Sequence, residues 1–203
     1  QLKDLTVRQA RLQEQAATGQ RIVVPSDDPS AMRRVLDLQV EAKSLQQYRK
    51  NISAMTEKSA VAYGVINGMK NIATRASEIG TGADGLSSPV ELEVLSVEVG
   101  QLLQQAVDLA NTQHRGVSIF GGTITDQKPF AVTMDANGAV GAVTYSGNAD
   151  VPKVEIAKGV AFTVGHPGEN ESGTGPRGLL KDSRTGADLF AHLISLQNNL
   201  QSG

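Results

Sequence analysis

A chain of 203 residues has room for one large domain or two small ones. Its formal net charge of −2 offers no electrostatic basis for binding nucleic acid or an anionic membrane, and the absence of Cys removes disulfides, thiol nucleophiles and thiolate metal sites. Aromatic residues make up only 3%, which suits thin helix–helix seams better than one thick core, and no apolar run approaches the ~18 residues of a membrane span.

Gln1 to Thr18 reads as a helix with Leu2, Leu5, Leu12 and Ala16 on one face and Gln9 as its polar interruption. It has no recognisable N-terminal cap, and the chain opens on Gln1 rather than Met. The natural helix is therefore expected to begin earlier, in a longer or processed chain. Gly19 supplies a C-terminal stop. Gln20 to Asp27 reads as a short extended connection in which Ile22-Val23-Val24 can pin the chain to a bundle.

The stretch from Pro25 to Ile79 organises the rest. Pro25-Ser26-Asp27-Asp28-Pro29 opens it: Asp28 can accept a hydrogen bond from an orphan backbone N–H, and Pro29 fits the first helical position, where a missing N–H costs nothing. Val35, Leu38, Ala42, Leu45, Ile52, Met55, Ala62, Ile66, Met69, Ala73 and Ala76 then form a seam, with a slip of register around Tyr48 and Arg49. A helix of this extent would be roughly 75 Å long, which predicts a rod or bundle rather than a compact core. Gly64 and Gly68 lie four apart and mark either a close helix contact or a bend.

After a stop near Gly80-Thr81-Gly82 and a loop from Ala83 to Ser87, Ser88-Pro89 restarts a helix. Leu92, Leu95, Val99, Leu102, Ala106 and Leu109 keep a three-four spacing to Asn111. Near Gly116 glycines become frequent and β-branched residues begin to alternate. Phe130 to Asp135 and Ala139 to Tyr145 flank Asn137-Gly138, a strong hairpin signal. Val154 and Ile156, then Val160, Phe162 and Val164, predict a second hairpin around Lys158-Gly159. Gly165 to Arg184 reads as a polar loop, and Gly186 to Gln201 returns to helix with Leu189, Leu193, Leu196 and Leu200 apolar. The fold expected is α+β: an elongated helical bundle or rod with a small antiparallel β-rich insert. Its segments are 1–118 helical, 119–185 inserted and 186–203 returning helix.

No active site stands out. Asp27-Asp28 could bind a cation or serve in acid/base chemistry, but capping and the helix dipole explain the pair. His114, His166 and His192 have no metal-ligand spacing. Gly173 to Gly178 is glycine-rich but lacks the Lys-Ser/Thr ending and the strand-to-helix context of a phosphate loop, and reads as mobile. Gly121-Gly122 after Phe120 reads as a tight turn leaving the bundle, with close approach to a ligand as the alternative. No catalytic residue, cofactor or metal site is assigned, and a structural or assembly protein fits better than an enzyme.

Three stretches carry a family resemblance. Ala17-Thr18-Gly19-Gln20-Arg21-Ile22 with Pro25-Ser26-Asp27-Asp28-Pro29 is similar to the N-terminal signature of the bacterial flagellin superfamily. Ala110-Asn111 through Gly116, then Ile119-Phe120-Gly121-Gly122-Thr123 and Pro129-Phe130, resembles its hook-associated protein 3 branch. Val143-Thr144-Tyr145-Ser146-Gly147-Asn148 resembles that branch's next β motif. The resemblance spans about residues 5 to 150 and makes Asn111, Gly116, Phe120, Gly121, Gly122, Pro129, Phe130, Tyr145 and Gly147 structural motif positions.

It implies a helical domain called D1 and a β-rich D2 inserted into it. It also implies export through the flagellar type III apparatus and assembly as a ring of copies in the extracellular flagellum. The implied partners are the hook-side junction protein (hook-associated protein 1), flagellin, neighbouring copies and an export chaperone acting on a C-terminal tail, with no nucleic acid and no membrane. The connection Arg21, Ser26, Asp27, Asp28 and Pro29 would contact neighbouring subunits. The family's terminal segments are expected beyond both ends of this sequence, including a long helix returning along D1. A flagellin-type filament subunit and a ligand-binding module in residues 117 to 185 are the other readings.

Overall fold

In the computed structural model, residues 2–19, 28–83, 88–136 and 138–202 are described. The chain divides into two compact units, Gln1–Lys50 and Asn51–Gly203. The first holds α1 (Leu2–Thr18) and the opening of α2 (Pro29–Gly82), a helix of 54 residues. Gly19 closes α1 in a left-handed conformation, with its N–H on the Gln15 carbonyl. Asp28 starts α2: its Oδ1 accepts from the Ser30 and Ala31 N–H groups at 3.2 and 3.0 Å and from Ser30 Oγ at 2.8 Å. The expected connection Gln20 to Asp27 lies outside the described residues.

In the second unit α2 continues from Asn51, followed by α3 (Pro89–Ala110) and α4 (Leu189–Ser202). α3 begins with more than the Ser-Pro signal. Ser88 Oγ accepts from Glu91 N–H at 3.3 Å, and Glu91 Oε2 accepts from Ser88 N–H at 2.7 Å, a reciprocal capping box. That backbone donor, together with the Ser88 hydroxyl, holds the Glu91 carboxyl below its ordinary value.

Among the described residues, nine short strands run between α3 and α4. β1 (Gln113–His114) and β2 (Val117–Ser118) form a hairpin that the composition did not announce. Its turn is Arg115-Gly116, both at positive φ (54° and 78°), as a two-residue turn of this twist requires. Arg115 Nη2 then reaches Glu57 Oε2 of α2 at 2.7 Å. β3 (Phe130–Met134) and β4 (Val140–Tyr145) pair antiparallel, as do β5 (Lys153–Ala157) and β6 (Val160–Thr163), where the alternating runs place them. Gly165 to Arg184 departs from the plain loop expected. It contributes β7 (Glu169–Asn170) and β8 (Lys181–Asp182), which pair in parallel, and β8 pairs antiparallel with β9 (Ala187–Asp188).

One core joins helices and strands: Val65, Met69, Ile72 and Ala76 of α2 meet Leu103, Ala106 and Val107 of α3, Phe120, Phe130 and Val140 of the β region, and Phe190 and Leu193 of α4. Two details differ from the periodicity. The buried stripe of α2 runs Val65, Met69, Ile72, Ala76, Ile79, whereas Ile66 and Ala73 are exposed. Both stripes share Met69 and Ala76, so spacing alone does not separate them. On α3 the predicted Val99 and Ala106 are fully buried, but the buried edge also takes in Ser96, Leu103 and Val107, while the predicted Leu92, Leu95, Leu102 and Leu109 are only partly buried. Of the paired glycines, Gly68 is the close contact: a Cβ there would lie 2.8 Å from Leu109 Cδ1 of α3. At Gly64 a Cβ would meet nothing within 4 Å.

In the first unit, Leu5, Val7 and Leu12 of α1 and Leu36, Leu38, Val40 and Leu45 of α2 are all more than half exposed. Apolar residues placed with helical regularity are thus left uncovered among the described residues.

Candidate functional site

The motif residues converge where α3 hands over to the strands. Asn111, the residue capping α3, clamps Phe130 at the start of β3: its Nδ2 donates to the Phe130 carbonyl and its Oδ1 accepts from the Phe130 N–H, both at 2.9 Å. The Phe130 ring is buried against Tyr145 and Phe190, with ring centroids 5.0 and 5.3 Å away. Across the hairpin, Tyr145 Oη donates to the Phe120 carbonyl at 2.8 Å and also lies 3.1 Å from the Asn148 carbonyl. Burial pushes the phenol's pKa up, so it stays a neutral donor. Phe120 is itself fully buried, as is Pro129.

The glycines of the motif are explained by space. Gly122 has φ +72°, and a Cβ on it would overlap the Asn148 carbonyl and side chain. Asn148 uses that approach: its Oδ1 accepts from Thr123 N–H at 2.9 Å and its Nδ2 donates to Thr123 Oγ1 at 2.7 Å. A Cβ on Gly121 would collide with the Ile124 carbonyl, and one on Gly147 with the Tyr145 ring. The structure therefore brings Asn111, Phe120, Gly121, Gly122, Pro129, Phe130, Tyr145 and Gly147 into one knot. Gly116 stays in the β1–β2 turn, where a Cβ would meet nothing within 4 Å. The knot is a structural joint, built from satisfied hydrogen bonds and close packing.

Asp28 and Pro29 stand at the start of α2 as the capping signal predicts. Arg21, Ser26 and Asp27 lie outside the described residues. His114 stands 3.6 Å from Glu57 Oε2 beside the Arg115 ion pair. Among the described residues, no group of three His, Asp or Glu side chains is placed to hold a metal ion, and no helix is long and apolar enough to cross a membrane.

Sequence reasoning passed over a second cluster, inside the stretch read as a mobile loop. Asn170 is buried, and its Nδ2 donates to the Thr174 and Pro176 carbonyls at 2.7 and 2.6 Å while its Oδ1 accepts from Ser172 N–H and Oγ. Buried Asp182 takes a two-pronged contact from Arg184 (Nε at 2.9 Å, Nη2 at 2.6 Å) and further bonds from the Arg184 and Gly178 N–H groups. The Arg184 guanidinium foremost, and then those backbone donors, hold the Asp182 carboxyl far below the usual carboxylate range. Arg184 also ties down the Gly175 and Pro176 carbonyls. The glycine-rich segment is thus stitched from within. The Asp182-Ser183-Arg184 spacing was the available signal, since a turn Asp accepts from the backbone N–H two residues on, here that of Arg184.

Compared with known proteins, residues 7–125 match the profile of the bacterial flagellin N-terminal helical region. This chain belongs to the bacterial flagellin family. Within that family it is 28% identical over 158 residues to flagellar hook-associated protein 3 of Escherichia coli K12, an alignment covering 77% of this chain and 47% of that protein. The flagellin-family chain thus spans about half the length of the curated relatives it matches. Among solved structures it resembles Bacillus cereus FlgL (TM-score 0.61, 23% identity, 85% of this chain and 75% of that one). It also resembles a putative flagellar hook-associated protein from Vibrio parahaemolyticus (TM-score 0.58, 25% identity, 71% and 62%). The flagellin-type match includes Asn111, Gly116 and Phe120–Gly122 but stops before Pro129, Phe130, Tyr145 and Gly147. The knot thus joins residues inside the matched region to residues beyond it.

Proposed function

We propose that this chain is part of a structural adaptor of the bacterial flagellum, joining the hook-side junction protein, hook-associated protein 1, to the flagellin filament by subunit–subunit packing rather than catalysis. The observation that carries the reading is the likeness to hook-associated protein 3 over three quarters of the chain. The uncovered leucines and valines of α1 and early α2 support it: Leu5, Leu12, Leu38 and Leu45 repeat along helices as a lengthwise packing surface does. Neighbouring copies would repeat one heterologous contact around a ring. Residues 1–118 and 186–203 would belong to the helical domain D1, and 119–185 to the inserted D2. A C-terminal tail would engage an export chaperone, and the assembled protein would be extracellular.

Cross-linking tests the adaptor reading. The full-length, tail-containing protein is mixed separately with flagellin and with the hook-side junction protein. Specific adducts to both, with little self-polymer, are expected. Self-polymer without an adduct to the hook-side partner would sink the reading and make the chain a filament subunit. For the Arg21–Pro29 connection the two roles separate by mutation. Asp28→Ala is expected to weaken the isolated fold by about 1 kcal/mol through the lost cap. Unchanged thermal stability with failed assembly would instead assign Asp28 to the intersubunit contact.

A further inference from the structure

In the second unit a groove of about 490 Å³ opens between β4 and α4. Val143, Phe190 and Ile194 supply its apolar lining, Glu169, Lys181 and Asp188 its charged lining, and Ser195 and Asn198 of α4 its neutral polar groups. Glu169 is half-buried and, among the described residues, its carboxylate forms no hydrogen bond or ion pair. The nearest cation is already engaged: the Lys181 ammonium pairs with Glu171 and lies 3.6 Å from Asp188 Oδ2. Three carboxylates thus share one ammonium: Lys181 and Asp188 line the groove beside Glu169, and of the three carboxylates Glu169 is the one outside ion-pair distance of the lysine. A desolvated carboxylate without donors is costly, and the complement that relieves it is a cation arriving on an apolar stem.

We infer that this groove binds a primary alkylammonium group, with the ammonium on the Glu169 carboxylate, its methylenes along Phe190, Ile194 and Val143, and its remaining N–H groups on the Ser195 and Asn198 oxygens. Two sources present that chemistry, a free aliphatic diamine and the lysine side chain of a partner segment. The groove's own electrostatics agree. Burial foremost pushes the Glu169 carboxyl up to about 7, with Asp188 and Glu171 adding to the push and Lys181 opposing it.

The test is an amide NMR titration of the whole chain at about pH 8, where Glu169 is ionised, with n-butylammonium chloride as probe and n-butanol and sodium chloride as controls. Saturable shifts are expected at Gly141 to Val143, Glu169 and Ala191 to Asn199, in the millimolar range. Glu169→Gln, which keeps shape and removes charge, is expected to weaken binding roughly ten-fold. Ala191→Leu, which fills the groove and leaves Glu169 in place, is expected to do the same, and it decides alone if the first variant does not fold. Equal shifts with n-butanol, unchanged affinity in both variants, or shifts scattered away from the groove would overturn the inference. A second pair of probes, 1,4-diaminobutane and N-acetyl-lysine methylamide, separates the sources. Tighter binding of the first supports a free diamine, and of the second a lysine side chain.

Discussion

Replacing Asn111 with Ala tests whether one side chain holds the handover from α3 to the strands. Asn111 makes two hydrogen bonds to the peptide groups of Phe130, donating through Nδ2 and accepting through Oδ1. Each is worth about 1 kcal/mol net, and the partly buried Phe130 N–H and carbonyl lose their partners besides, so the expected destabilisation is about 2–3 kcal/mol. In a unit of roughly 150 residues, 1 kcal/mol moves the midpoint by about 2–4 °C, which puts the expected fall in Tm near 5–10 °C. Circular dichroism melts and urea titration give the energy, and amide exchange at Phe130 gives the location, since its protection should fall furthest. Asn111→Asp refines the test. It keeps the acceptor for the Phe130 N–H but sets a carboxylate oxygen against the Phe130 carbonyl. Folding then raises the pKa of the new carboxyl above its unfolded value, so this variant should gain stability as pH falls through that raised pKa. If Asn111→Ala stays within about 0.5 kcal/mol of the natural chain and Phe130 keeps its protection, the clamp is not what holds β3 in place.

Three further outcomes follow from the same geometry. Ser88→Ala removes the hydroxyl half of the α3 capping box, leaving the residue-88 N–H on Glu91, and should cost about 1 kcal/mol by urea denaturation. Because folding depresses the Glu91 carboxyl, the box's contribution is present above the unfolded pKa and lost as pH falls through the folded one. Glu169→Gln works in the opposite sense. The folded carboxyl is raised to about 7 from 4.5, so the natural chain loses stability as pH rises between those values. The variant should match it below that window and exceed it above, read as denaturation midpoints across the range; equal midpoints throughout would refute the burial argument. Gly122→Ala meets both a left-handed backbone and the Asn148 carbonyl and should cost more than about 3 kcal/mol, whereas Gly116→Ala meets open space and should cost only about 1–2 kcal/mol, compared by thermal melts.

How much of this was legible in the sequence depended on whether the cause was local. Asp28-Pro29 and Ser88-Pro89 each act within a few residues, and α2 and α3 begin where they stand, while β3 and β4 pair on either side of the expected turn. The α2 stripe was legible in period but not in phase, because Ile66 and Ile72 are equally apolar and only the position of α3 decides which is covered. The Phe120–Gly122 and Pro129–Phe130 residues were legible as a pattern, whereas the reason for them was not. Gly147 is constrained by the ring of Tyr145, and Asn111 by a peptide group 19 residues away. Nor could composition separate the stitched segment around Asn170 and Asp182 from an unstructured one, since glycine and serine serve both. What distinguishes them is that Asn170 and Asp182 are buried and fully engaged, which depends on neighbours supplied by the fold.

The two units use their apolar residues in opposite ways, and that contrast bears on assembly. In the second, Leu103, Ala106, Phe120 and Phe130 are almost wholly removed from water, and the knot that binds them also satisfies its polar groups. In the first, Leu5, Leu12, Leu38 and Leu45 keep more than half their surface exposed. Burying one such side chain is worth about 1.5–3 kcal/mol, so helices that leave several uncovered hold a reserve of that size per residue for whatever covers them. A chain built this way carries a joint that does not depend on partners and a surface whose hydrophobic gain is still outstanding. That division of labour suits a flagellin-family chain: the knot fixes the strands to α3 from within, and cover for α1 and early α2 is what the proposed assembly would add.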